Sequence, residues 1–171
     1  MNTLDAIQAR RSVRAFQPRP VEAEKLDALL NAINQAPSAG NLQAYQVYLV
    51  RRETTRQRLA AAALGQKFLA QAPMVLVVCA CPSRSAKYGQ RGAELYCLQD
   101  ATVAVAYGQL AATALGLASC WVGAFDESQV KEVLGLPAAE RPVAMLPIGY
   151  PAETPPRTPR RWLTDLVKEK E

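Results

Sequence analysis

Chemistry first gathers at Arg10-Arg11-Ser12-Val13-Arg14, which sets three cations and a hydroxyl within five residues. In an extended segment alternate side chains face one way, so Arg10, Ser12 and Arg14 would share a side. Such a side can grip a phosphate and hydrogen-bond a polyol or a ring carbonyl. Standing alone, the same residues also fit a solvated basic stretch. A second group is Pro37-Ser38-Ala39-Gly40-Asn41-Leu42-Gln43. Its hydroxyl and two amides suit the edge of a heterocycle, and equally an ordinary turn. A third is Cys120-Trp121-Val122-Gly123-Ala124-Phe125-Asp126, a strand running into a helix start. Unpaired backbone N–H groups there favour an electron-rich atom, although a plain capped helix has the same pattern.

Composition removes other chemistries. None of the 171 residues is His, which excludes Ser-His-Asp and Cys-His nucleophiles and His-ligated metals. The four cysteines, at 79, 81, 97 and 120, show no CxxC spacing, so they are expected as reduced, buried thiols with no metal. An N-terminus without an apolar stretch adds the expectation of a cytoplasmic protein. Lys and Arg number 20 against 15 Asp and Glu, for a formal charge of +5. That balance raises nucleic acid as a partner. Scattered arginines and only 6% aromatic residues argue against it. Residues 101–125 hold no charge, but they are rich in Ala, Gly, Thr and Ser and are interrupted by Gln109 and Gly116. They read as a central core or dimer helix rather than a membrane span.

These groups need elements to hold them. Thr3 is placed to cap a short helix with Leu4 and Ile7 on one face. Residues 10–16 read as extended, ahead of Pro18 and Pro20. Leu26, Leu29, Leu30 and Ile33 have the spacing of a buried helical stripe and predict a helix over 21–36. After the 37–43 loop come a strand at 45–50, a helix at 54–64 and a further turn at 66–71. The apolar run 74–81 predicts a strand covered on both faces. Residues 82–92 read as a basic loop, long enough for a lid. A long helix at 93–115, stopped by Gly116, precedes a strand at 118–122. Asp126 and Gln129 form a capping box, and the last strand covers 143–148. Four prolines within 151–159 make an extended arm, whose Trp162 should pack on something. The alternation of elements suggests a doubly wound parallel sheet. No GxGxxG or GxxxxGKS/T occurs, so a phosphate would have to be held by side chains.

RRSVRAF, APSAGNLQ, GLASCWVGAF and LPIGYP with a basic, Pro-rich arm, in that order, resemble the nitroreductase family of FMN-dependent oxidoreductases over residues 7–167. The resemblance implies an α+β fold in place of the doubly wound one: a mixed β-sheet flanked by helices, with a long central helix joining a homodimer and FMN at the interface. It makes residues 1–171 one FMN-binding domain with 151–171 as its arm. It also implies that Arg10, Arg11, Ser12 and Arg14 hold the FMN phosphate, ribityl chain and pyrimidine edge. Arg14 would stabilise negative charge on the reduced ring. Pro37, Ser38, Asn41 and Gln43 would lie beside the ring from the second subunit. Gly123 and Ala124 would meet flavin N5, Gln66 the pyrimidine, and Arg160 and Arg161 the phosphate.

The activity implied is ping-pong hydride transfer from NAD(P)H to a small-molecule acceptor such as a nitroaromatic or quinone, with no catalytic side chain required. A dedicated dehydrogenation or reductive dehalogenation, or flavin binding without turnover, would use the same cofactor residues. Two departures bear on the substrate pocket. Ala44-Tyr45 stands where relatives often carry an aromatic residue, and Ala106-Tyr107 replaces a frequent Gln-Asn pair. The chain is also short for the family, so the pocket is expected to be open or covered by residues 82–92.

Overall fold

The computed structural model describes residues 1–170. Helix α1 (Thr3–Ala9) begins at Asn2, one residue before the expected cap. The Asn2 side chain accepts from the Asp5 backbone N–H, and the Asp5 carboxylate accepts from the Asn2 N–H, a reciprocal capping box. Helix α2 (Ala23–Asn34) buries Leu26, Leu29 and Ile33, the stripe its spacing encodes. Next come β1 (Tyr45–Val50), α3 (Glu53–Ala62), α4 (Phe68–Gln71) and β2 (Met74–Ala80). Residues 82–96 are not an open loop. They wind through α5 (Pro82–Ser85), a 3-10 turn, α6 (Gly89–Arg91) and a π-turn (Gly92–Tyr96). The chain then enters α7 (Cys97–Ala114), and Gly116 (φ +73°) turns it back into β3 (Ala118–Ser119). Helix α8 (Glu127–Leu134), β4 (Arg141–Gly149) and the short α9 (Leu163–Leu166) complete the order.

The strands stand in the order β1-β2-β4-β3, and every pairing is antiparallel. The only parallel character among the described residues is an isolated bridge between Ser12 and Ser119. This overturns the parallel sheet suggested by the alternation of elements. The cause of that suggestion lies in β2. Leu76, Val78 and Ala80 face a core built by α2 and α7, while Val75, Val77 and Cys79 face a second core built by α3, α4 and α8. A strand buried on both faces reads as an unbroken apolar run whichever way its neighbours point.

Strand β3 is shorter than expected for a reason that sits across the sheet. Ala118 pairs with Gly149, Ser119 with Ile148, and Val122 with Met145. In that register Cys120 faces Pro147, which has no N–H to donate. The ladder therefore breaks at Cys120-Trp121 and resumes for a single bridge. Helix α7 turns Ala101, Ala104, Val105 and Gly108 inward. Gly108 lets Ile33 of α2 come close, since a Cβ there would stand 3.1 Å from the Ile33 side chain. Thr102, Ala106 and Tyr107 face outward and exposed. Among the described residues no helix is long and apolar enough to cross a membrane. Trp162 is 80% exposed, so within one chain the arm does not give it the partner expected of it.

Candidate functional site

The cationic segment is held by its neighbours in space. Helix α1 ends at Arg10, and the Val13 N–H donates to the Ser119 carbonyl at 3.1 Å. Val13 and Phe16 drop into a small core with Ala72 and Ala118. The arm returns alongside: the Gln17 N–H donates to the Tyr150 carbonyl and the Ala152 N–H to the Ala15 carbonyl, each at 2.9 Å. This pairing draws residues 155–160 across the end of α1. The result is a cavity of about 590 Å³ lined by Arg10, Arg11, Ser12, Arg14, Arg157 and Arg160, with Pro155 and Pro156 on the arm side.

Five guanidiniums and no carboxylate line this cavity. None of the five forms a salt bridge among the described residues. Arg11 reaches the cavity although strand alternation would send it elsewhere. Its guanidinium folds back on the C-terminal carbonyls of α1, donating to Gln8 O at 2.7 Å and Arg10 O at 2.8 Å. Arg157 donates to the same Gln8 carbonyl at 3.3 Å. Arg157 thus ties arm to helix, Arg11 covers the C-terminal carbonyls of α1, and both add charge to the cavity. Arg14 lies over the Phe68 ring at 5.9 Å, and its backbone N–H donates to the Glu153 carboxylate. Arg161 is exposed and does not line the cavity. Behind the segment, burial pushes the Cys120 thiol up, with Arg14, Ser12 and Arg10 pulling it partly back. All four cysteines are free and buried. Among the described residues no cluster of three or more His, Cys, Asp or Glu could hold a metal.

From Ser119 the chain continues along the outer edge of β4 to Gly123 and Ala124. Both are exposed, and neither backbone N–H donates a hydrogen bond among the described residues. The Gln66 side-chain amide donates to Ala63 O at 2.9 Å and to Ala124 O at 3.0 Å. It braces this backbone rather than opening into the arginine cavity. Asp126 then caps α8, accepting from the Gln129 N–H at 2.9 Å, while the Gln129 amide turns to the same carboxylate. Beside Gly123 lies a second cavity of about 340 Å³, walled by Leu98, Thr102 and Phe125 and by the Arg141–Glu127 ion pair.

The 37–43 loop lies elsewhere. It leads into Tyr45 of β1, which pairs with Ala80, and Ala80 in turn pairs with Arg141. Ser12 is bridged to Ser119, at the opposite end of β4 and the opposite edge of the sheet. With three strand spacings across and about six residues along, these corners are roughly 14 Å and 20 Å apart in the two directions. Pro37, Ser38, Asn41 and Gln43 therefore do not join the arginine cavity of their own chain. Their side chains serve the loop itself: the Ser38 hydroxyl accepts from the Gln43 N–H at 2.9 Å, and the Gln43 amide donates to the Asn41 side chain at 3.1 Å. Tyr88 and Lys87 of the 82–96 segment lie beside Gly40, and no residue of that segment lines the arginine cavity.

Sequence reasoning missed three residues here. Arg157 stands beside Arg160 and Arg161 on the arm, and nothing in its spacing singles it out. Arg84 donates to Gln43 O at 3.1 Å and Tyr45 O at 3.0 Å, pinning the exit of the loop. Asp100 is 3% exposed, and its carboxylate accepts from the Ala39 and Ala44 N–H groups. Its signal was legible: it is the one charged residue of α7.

The sequence profile described as "Nitroreductase family" matches residues 7–67 and 62–150. A Thermus thermophilus protein named NADH dehydrogenase is 30% identical, covering 84% of this chain and 84% of its own length. A Bacillus subtilis protein named FMN reductase (NAD(P)H) is 29% identical, covering 92% of this chain and 69% of its own. The solved structure of a Vibrio harveyi NADPH:FMN oxidoreductase complexed with NAD+ superposes with a TM-score of 0.92 at 27% identity, covering 100% of this chain and 78% of that one.

Proposed function

The chain belongs to the nitroreductase family, and from that premise we propose an FMN-dependent oxidoreductase that uses NAD(P)H to reduce a small acceptor such as a nitroaromatic or a quinone. The observation that carries it is the arginine cavity: five cations without a carboxylate, continuous through Ser119 with a strand edge that ends in two unpaired N–H groups. Such a cavity fits a phosphate tail, and the strand edge fits the polar rim of a ring.

Arg10 and Arg160 hold the phosphate, Arg157 keeps the arm closed over it through Gln8 O, and Arg11 adds its charge. Ser12 meets the ribityl chain. Arg14 faces the pyrimidine edge, where a fixed cation favours negative charge on the ring. The Gly123 and Ala124 backbone, braced by Gln66, presents its N–H groups to N5. Bound FMN supplies the hydride chemistry, so no side chain of the protein needs to act as acid or base.

We take the working unit to be a homodimer in which the Ser38 loop of one chain completes the site of the other. The two-corner geometry supports this, because no single chain can bring that loop to Arg10. The whole chain serves as one FMN-binding domain with an arm from Pro151. Four unpaired, buried thiols suit a cytoplasmic setting, where thiols stay reduced. Anaerobic titration of the FMN-loaded protein with NADPH and with NADH tests the activity. Bleaching of the flavin absorbance by either donor, reversed by a quinone or nitroaromatic, is the expected result. A bound flavin that neither donor bleaches would remove the reductase reading.

A further inference from the structure

We propose that Asp100 is a positioning residue for the flavin site of the opposite subunit, acting through the Ser38 loop. This rests on the reading above, that the loop of one chain serves the FMN site of the other.

Asp100 stands in the first turn of α7, 3% exposed, with no Lys or Arg paired to it among the described residues. Burying a carboxylate without a cation is costly unless hydrogen bonds replace its water. Here they come from both ends of one loop. The Ala39 N–H donates to Oδ1 at 3.0 Å and the Ala44 N–H to Oδ2 at 3.3 Å. The segment between them has an unfavourable backbone. Gly40 (φ +56°), Asn41 (φ +55°) and Gln43 (φ +48°) are all left-handed, and two of the three carry a Cβ. Left-handed backbone is disfavoured for such residues and persists where the surroundings impose it.

Ala36 and Ala44 anchor the two ends of the loop in the core, while its tip adds nothing to that core. The loop is at the surface, with Pro37, Gly40 and Asn41 exposed, and it lies at the corner of the sheet diagonal to its own arginine cavity. Asp100 is thus a single side chain that fixes the distance between the two ends of the loop. The loop that carries half-buried Ser38 and exposed Asn41 is thereby held in one conformation. The carboxylate of one chain sets the geometry at the flavin of its neighbour.

A pair of heterodimers separates this role from general support of the fold. One chain carries Arg10→Ala, which weakens the site built on its own cations, and its partner keeps Arg10, so the tighter of the two sites is the one read. That tighter site uses the Ser38 loop of the R10A chain. Asp100→Asn, which keeps the shape but loses one acceptor, is placed either on the R10A chain or on the Arg10-bearing chain. Both heterodimers are purified with two tags and titrated with FMN by quenching of flavin fluorescence. The expected result is a dissociation constant raised about tenfold or more when D100N shares the R10A chain, and little changed when it sits on the other chain.

Equal weakening in both arrangements would make Asp100 a general stabiliser and overturn the proposal. So would no weakening in either. If the D100N chain does not fold, Asp100→Glu, which displaces the carboxylate by one methylene, goes through the same two pairings with the same criteria. An R10A homodimer that binds FMN as tightly as the wild type, or a wild-type protein that binds none, would sink the underlying reading instead. Those two controls tell that failure apart from failure of Asp100 alone.

Discussion

Charge at single residues sorts the arginines of the cavity. Arg10 makes no side-chain hydrogen bond among the described residues, whereas Arg11 and Arg157 are committed to the carbonyl end of α1. Arg10→Ala is therefore expected to weaken FMN binding by about 1.5–3 kcal/mol, the scale of a hydrogen bond to a charged group. Equilibrium titration measures it, and an unchanged affinity would take Arg10 out of the phosphate site. A second residue-scale prediction concerns Glu22. The Tyr150 hydroxyl donates to its carboxylate at 2.6 Å, and Arg19 pairs with it at 2.6 Å. Led by the tyrosine bond, these contacts pull its pKa from 4.5 down to about 2. A carboxyl lowered on folding favours the native state above its unfolded value, so the contribution is complete above about pH 4.5 and fades as pH falls toward 2. Tyr150→Phe should move the Glu22 titration back up toward 4.5 in carbon-detected NMR. A Glu22 that titrates unchanged in that variant would show the tyrosine to be irrelevant.

Elements were legible where their cause is local. The stripe of α2, the Asp126 cap of α8 and the Gly116 stop of α7 each lie within a few residues of what they specify. The shortness of β3 was not legible, because the residue that breaks its ladder is Pro147 on another strand. Segment 82–92 reads as a loop from its two glycines and polar residues, yet it folds into helical turns because Ser85 and Gly92 meet. The Ser85 hydroxyl donates to Gly92 O at 2.8 Å, and a Cβ on Gly92 would run into the Ser85 carbonyl oxygen. Gly92→Ala should then cost about 1–3 kcal/mol, the usual range for overpacking. At fixed protomer concentration that lowers Tm by roughly 3–10 °C, which calorimetry can check. A variant as stable as the parent would mean that the two turns can separate without penalty. The site divides the same way. Arg10, Arg11, Ser12 and Arg14 are neighbours in sequence and could be read together. Arg157 and Asp100 take their roles from Gln8, Ala39 and Ala44, far away along the chain, and only the fold brings them into view.

The whole molecule presents surfaces that one chain leaves unused. Leu4 and Ile7 on α1, Tyr107 on α7, and Trp162, Leu163, Leu166 and Val167 on the arm are all exposed. Large apolar groups left exposed on α1, α7 and the arm mark a contact surface. An obligate interface of this kind would bury more than about 2,000 Å² in total. Together with the separation of the Ser38 loop from Arg10, this makes the central claim one about assembly: the flavin site exists only between two chains. Size-exclusion chromatography of the FMN-loaded protein, with light scattering and flavin absorbance read on the same peak, tests it most directly. The account predicts a single species of twice the 18.6 kDa chain mass carrying one FMN per chain. A species of one chain mass that keeps its FMN and turns over NAD(P)H would contradict it.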